Sequence, residues 1–194
     1  MQEKQEKKLP REEASAPIPQ PRREGPVFRA LRAEEVQVQV VKVSAERATL
    51  AFKPRHKAMV ALLDEACGTM GWGCGYYAVG SKAYCRVGIL DEDSGELLYK
   101  SAGPGGASGR LEEDEAFDRA AARWGVGRDV WALPAISLSS ESLVIAPVER
   151  NGRLAGYEVK DSLSVRDIIR DEEGILAMVL VNQSGKVLKW EARR

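Results

Sequence analysis

Every second residue is apolar in two short stretches near the start of the chain: Val36, Val38 and Val40, and then Ala48, Leu50 and Phe52. A strand turns alternate side chains to the same face, so each stretch predicts a strand with one buried face. The segment 44–46 between them predicts a turn. We therefore expect a pair of antiparallel strands here.

Helical spacing follows in residues 56–66, where Met59, Val60, Leu62, Leu63 and Ala66 are apolar and Gly68 provides a stop. Strand patterns then return at 72–79, 84–91 and 96–101. The segments 80–82 and 91–95 separate them and have the composition of tight turns. A helix followed by a three-stranded meander is therefore predicted.

The segment 115–128 predicts a second helix with two different sides. At about 100° per residue, one side carries small or aromatic residues and the other carries arginines. The first set is Phe117, Ala120, Ala121 and Trp124, and the second is Arg119 and Arg123. Acidic residues 112–115 suit the positive end of the helix dipole, and Gly125 and Gly127 end the helix. Both arginines are expected to be free to face a ligand.

Beyond Pro134, further strands are predicted at 143–148, 154–159, 165–169, 175–181 and 186–190. The expected fold is α+β and largely antiparallel, with a βββα order and a strand-rich C-terminal end. Residues 1–26 are rich in proline and alternating charge, which predicts a disordered tail before one domain at 27–194. A dedicated DNA-binding arm is the lesser alternative for that tail.

Composition and motifs argue against several classes of protein. No apolar run is long enough to cross a bilayer and no secretory signal is recognisable, so the protein is expected in the cytoplasm. The three cysteines lack the spacing of a zinc site or a disulfide framework. Neither glycine-rich stretch has a nucleotide-binding pattern, and His56 has no nucleophile in a recognisable motif. We expect no enzyme activity, no metal and no cofactor.

The 29 basic and 29 acidic residues balance, which excludes a uniform basic coat but allows a local basic groove. Exposed tyrosines on a sheet can also stack bases, Tyr77 being the best candidate, although most strand aromatics belong to cores. The predicted phosphate contacts are Lys53, Arg55, Lys57, Lys82, Arg86, Arg119, Arg123 and Arg128.

Residues 116–133 resemble the Ala-Phe-Lys-Arg-Ala and Trp-Gly-Ile-Gly-Arg signature of the Rad52-like single-strand annealing proteins of bacteriophages and prophages. The stretches 28–36, 63–72 and 157–187 are also similar to that family, in the right order, so the resemblance covers roughly residues 27–190. Arg119, Arg123 and Arg128 match basic positions of the signature. Asp118 departs from it, because lysine is usual there.

The resemblance implies a βββα core with the helix across the sheet. It also implies a protein that binds single-stranded DNA and anneals complementary strands as an oligomeric ring or arc, without ATP. Candidate partners are DNA, further copies of the chain, and a recombination exonuclease or single-strand binding protein. Two alternatives remain open. One is a scaffold that keeps the annealing fold but binds protein, and the other is an accessory to a nuclease or ATPase.

Overall fold

A computed structural model describes residues 25–105 and 112–192. After a 3₁₀ turn at Ala33–Glu35, the elements are β1 (Val36–Val43), β2 (Arg47–Pro54), α1 (His56–Cys67), β3 (Trp72–Val79), β4 (Lys82–Asp91), β5 (Glu96–Ala102), α2 (Glu112–Trp124), α3 (Arg128–Trp131), β6 (Ile136–Ser139), β7 (Ile145–Arg150), β8 (Arg153–Val159), β9 (Leu163–Asp171), β10 (Gly174–Asn182) and β11 (Val187–Glu191).

The largest sheet has six strands in the order β11-β10-β9-β1-β2-β6. All of its pairings are antiparallel. The strands β11, β10 and β9 join the strands β1, β2 and β6 where Gln37 of β1 pairs with Ser164 of β9. Alternate residues of β2, namely Ala48, Leu50 and Phe52, are buried, which confirms the alternation in the sequence.

A separate meander of three strands, β3-β4-β5, is followed directly by α2. The buried residues Cys85, Val87 and Ile89 of β4 turn one face of this meander towards α2, where Phe117 packs against Trp72 at 5.9 Å between ring centroids. We call the face of the meander that packs against α2 the α2 side, and we call the opposite face the open face.

The core is continuous across these units, because α1 supplies Met59, Leu62 and Leu63 to the same buried cluster as β2 and α2. The strands β7 and β8 form a hairpin of their own. Within the described residues, no helix has both the length and the apolar character needed to cross a membrane.

The α+β, mostly antiparallel class and the strand-rich C-terminal end are confirmed. The order βββα is present, but its identity with the Rad52-like core stays a prediction. Two elements were not predicted, the four-residue strand β6 and the four-residue helix α3, because neither is long enough for a periodic pattern to show. Residues 1–24 of the predicted tail lie outside the described residues.

Candidate nucleic-acid interface

The helix α2 has the two sides that its sequence predicts. Phe117, Ala120 and Ala121 are buried, while Arg119 and Arg123 are exposed. Trp124 fixes the end of the helix on the meander, because its indole Nε1 donates a hydrogen bond of 2.9 Å to the carbonyl of Val87. The arginines therefore project from a helix whose other side is anchored in the core.

The side chains of two cations meet at the carboxyl end of α2, beside the exposed residue Arg123. The ammonium of Lys100 lies 3.0 Å from the carbonyl oxygen of Arg123, and a guanidinium nitrogen of Arg128 lies 3.4 Å from the same oxygen. The partial negative charge at a helix C-terminus favours such cations. Lys100 also lies over the ring of Trp124, with Nζ 4.3 Å from the ring centroid. We call Lys100, Arg119, Arg123 and Arg128 the α2 cluster.

Gly105, in the segment between β5 and α2, lies close to the cluster. A Cβ built on Gly105 would lie 2.8 Å from Nη1 of Arg119 and 2.4 Å from Oε1 of Glu115. Gly105 thus lies directly against this part of α2, and residues 106–111 lie outside the described residues.

The three cations around the start of α1 have different surroundings. Lys53 has only 16 % of its side chain exposed and lies 3.9 Å from the carboxylate of the buried Glu115. Arg55 is exposed and donates a hydrogen bond of 2.9 Å to the carbonyl of Glu34. Lys57 is exposed on the first turn of α1. Lys53 already has an anionic partner, so it is the least available of the three.

Lys82 and Arg86 lie on the other side of the meander from α2. Since Cys85 and Val87 face α2, strand alternation puts Arg86 on the open face, where it is exposed. Lys82 is in phase with Arg86, at the β3–β4 turn. The eight predicted contacts therefore do not form one groove.

Position 118 is not part of the exposed surface. Asp118 has 0 % of its surface exposed and accepts a hydrogen bond of 2.8 Å from Nδ1 of His56, the first residue of α1. The lysine that is usual at this position of the signature would not face solvent here either, because the side chain of residue 118 points into the core.

A cleft of about 640 Å³ lies beside the α2 cluster, and Lys100 and Trp124 form part of its lining. Its far rim is acidic, formed by Asp91, Glu92 and Asp93 at the β4–β5 turn. Repulsion from these carboxylates disfavours a phosphate chain in the cleft itself. Among the described residues, no group of three His, Cys, Asp or Glu side chains is arranged to hold a metal ion.

Lys100 and Tyr99 were not predicted from the sequence. The signal for Lys100 was present, because it is in phase with Leu98 and Ala102 and so lies on the α2 side of the meander, where it is exposed. Tyr99, the preceding residue, lies on the open face.

Comparison of the chain with protein-family models, with curated proteins and with solved structures found no match.

Proposed function

We propose that this protein binds single-stranded DNA and promotes the annealing of complementary strands, without ATP and as an oligomer. The observation that carries the proposal is the α2 cluster, in which the side chains of Lys100 and Arg128 both approach the carbonyl of Arg123, while Arg119 lies one helical turn from Arg123. Four cations close together at this end of α2 make a local site for phosphates in a chain of zero formal net charge.

The way α2 is anchored adds to this argument. A helix held by a buried side of Phe117, Ala120 and Ala121 presents its arginines in fixed positions. Phosphate contacts on a rigid element cost little ordering entropy when the ligand binds. The order β-β-β-α, with α2 against the meander, also agrees with the family resemblance.

Annealing by such a site needs no covalent chemistry. Phosphates neutralised by the cluster repel a second strand less, so complementary bases can pair. One copy contacts only a few nucleotides, and several copies in a row would hold a longer strand with higher avidity. A recombination exonuclease or single-strand binding protein is the proposed further partner, as the source or carrier of the single strand.

The test is fluorescence-monitored annealing of complementary oligonucleotides, run beside single-strand binding at several salt concentrations. Arg119→Ala and Arg123→Ala should each weaken binding and lower the magnitude of the slope of log K against log salt by about 0.7 per lost phosphate contact. Arg153→Ala, an exposed arginine on the separate hairpin β7–β8, is the matched control. It should leave both quantities unchanged.

The second candidate is a scaffold that binds protein. It is favoured by the pairing of Lys53 with the buried Glu115, which gives one of the eight predicted phosphate contacts an anionic partner within the protein. If both α2 variants bind DNA as the wild type does, with unchanged salt slopes, α2 is not the DNA site and the scaffold becomes the better proposal.

A further inference from the structure

The open face of the β3-β4-β5 meander has an unusual composition. It carries Tyr77, Tyr84 and Tyr99 together with the cations Lys82 and Arg86. The three strands contain only two carboxylates, Asp91 and Glu96, which are opposite each other in the register and in phase with Ile89 and Leu98 on the α2 side. The open face is therefore aromatic and positively charged, without an acidic residue of these strands.

Glycines beneath the rings allow two of these tyrosines to lie against the sheet. A Cβ on Gly88 would be 2.6 Å from Cε1 of Tyr99, and a Cβ on Gly103 would be 2.6 Å from Cε1 of Tyr84. Real side chains do not tolerate such distances, so both rings occupy space that only glycine leaves open. Both rings rest on the backbone, and Tyr99 still has 48 % of its surface exposed while Tyr84 is half-buried.

Neighbouring side chains extend this surface. The ring of Tyr77, 42 % exposed, lies 5.7 Å from that of Tyr84, and the guanidinium of Arg86 lies 4.9 Å from the ring centroid of Tyr99. Along β4, Tyr84 is four residues from Gly88, the partner of Tyr99, which is about 13 Å at ~3.3 Å per residue. Arg86 lies midway between the two aromatic positions.

We propose that the open face is a base-stacking site for single-stranded DNA, separate from the α2 cluster. Bases stack on the rings of Tyr84 and Tyr99, and the phosphates between them are held by Arg86 and Lys82. This arrangement suits an extended strand without sequence preference, because every base has a π-face and the guanidinium itself can stack on a base. The inference rests on the proposed binding of single-stranded DNA and adds the recognition of its bases.

The experiment compares oligo(dT) with an abasic deoxyribose-phosphate strand of the same length. Wild-type protein should bind oligo(dT) more tightly, since the abasic strand keeps the phosphates and loses the stacking. Tyr84→Ala and Tyr99→Ala should each weaken oligo(dT) binding by about 5- to 100-fold and leave binding of the abasic strand unchanged. Tyr76→Ala is the matched control, because Tyr76 adjoins Tyr77 in the chain and is on the α2 side, opposite Cys85.

Two further measurements do not depend on removing a tyrosine. Gly88→Ala should reduce oligo(dT) binding in the same way, because the new methyl group displaces the ring of Tyr99. Irradiation of the wild-type protein with an iodouracil-substituted strand, followed by mass spectrometry, should locate covalent adducts on Tyr84 or Tyr99.

The outcomes separate the two proposals. If the wild type binds neither strand, both proposals fail. If it binds both strands equally and the adducts fall elsewhere, the stacking site is overturned while the phosphate site on α2 stands. If the tyrosine variants bind DNA normally but no longer form multimers in light scattering, the open face is a contact between copies of the chain, which also overturns the stacking site.

Discussion

The imidazole of His56 and the carboxylate of Asp118 are joined by a hydrogen bond of 2.8 Å, which ties the first residue of α1 to the buried middle of α2. The His56 ring also meets Phe117 edge-on, with 5.1 Å between centroids, and its Nε2 lies 3.8 Å from Asp114. A buried carboxylate is tolerated only with such partners. This contact therefore fixes how α1 and α2 pack, and Asp118 serves the fold rather than the surface.

Replacing the buried carboxylate with a cation should destabilise the protein. Asp118→Lys is expected to cost on the order of 3–5 kcal/mol in the free energy of unfolding, because it removes one partner of a buried contact and buries an ammonium group in its place. Asp118→Asn keeps the size and an acceptor oxygen, so its cost should be clearly smaller. Urea denaturation of both variants measures the difference. An Asp118→Lys protein with wild-type stability and tighter DNA binding would show that the side chain reaches the DNA.

A half-buried ion pair gives a pH dependence. Arg29 donates hydrogen bonds of 2.8 and 2.7 Å to the two carboxylate oxygens of Glu35, and these lower the pKa of Glu35 below its usual value. A lowered pKa stabilises the fold above the unfolded value of 4.5, and the contribution is lost as the pH falls through the lower folded value.

Glu35→Gln should accordingly lower stability at neutral pH by roughly 1–2 kcal/mol and flatten the loss of stability below pH 4.5. Glu65→Gln is the control, because Glu65 binds the same Arg29 side chain but is exposed. Glu65→Gln should change the loss of stability at acidic pH much less. Thermal unfolding at several pH values measures both variants, and equal pH profiles would contradict the assignment of this pH dependence to Glu35.

The three thiols should react at very different rates. Cys74 is exposed, whereas burial raises the pKa of Cys67 and raises that of Cys85 to about 11. Since the thiolate is the reactive form, an aromatic disulfide reagent at pH 8 should modify Cys74 first and Cys85 only after unfolding. Cys74→Ser should remove the fast phase. A fast phase that persists in this variant would place the reactive thiol elsewhere.

Local patterns explain why so many elements could be predicted. The strand β2 has a strict alternation of buried residues, and the helix α2 has a buried side at helical spacing. The pairing of β9 with β1 could not be predicted, because it joins residues more than a hundred positions apart and no local pattern specifies a partner strand.

The candidate site was predicted only in part, for a similar reason. The two sides of α2 follow from helical periodicity, so Arg119 and Arg123 could be recognised as exposed. The pairing of Lys53 with Glu115 depends on how β2 meets α2 in space, and the grouping of Lys100 with Arg128 depends on where the helix ends over β5. The placement of the Tyr99 ring over Gly88 could not be predicted either, because it depends on which residue pairs with Tyr99 on the neighbouring strand.

Gly127, directly before Arg128, offers a sharp test of the packing at the end of α2. Gly127 has a φ of +59°, and a Cβ there would lie 2.9 Å from Cδ1 of Leu31 and 3.0 Å from Cγ of Pro54. Gly127→Ala therefore meets two penalties, a left-handed backbone conformation and overpacking of a buried contact. Together these should cost about 2–5 kcal/mol in the free energy of unfolding.

Gly95→Ala separates the two penalties. Gly95 has a φ of +70° at the β4–β5 turn, and nothing lies within 4 Å of the position of its Cβ. This variant meets the conformational penalty alone, about 1–2 kcal/mol. The difference between the two variants in urea denaturation thus measures how tightly the turn after α2 packs on Leu31 and Pro54. If the two alanines cost the same, that contact is loose and does not fix the position of Arg128.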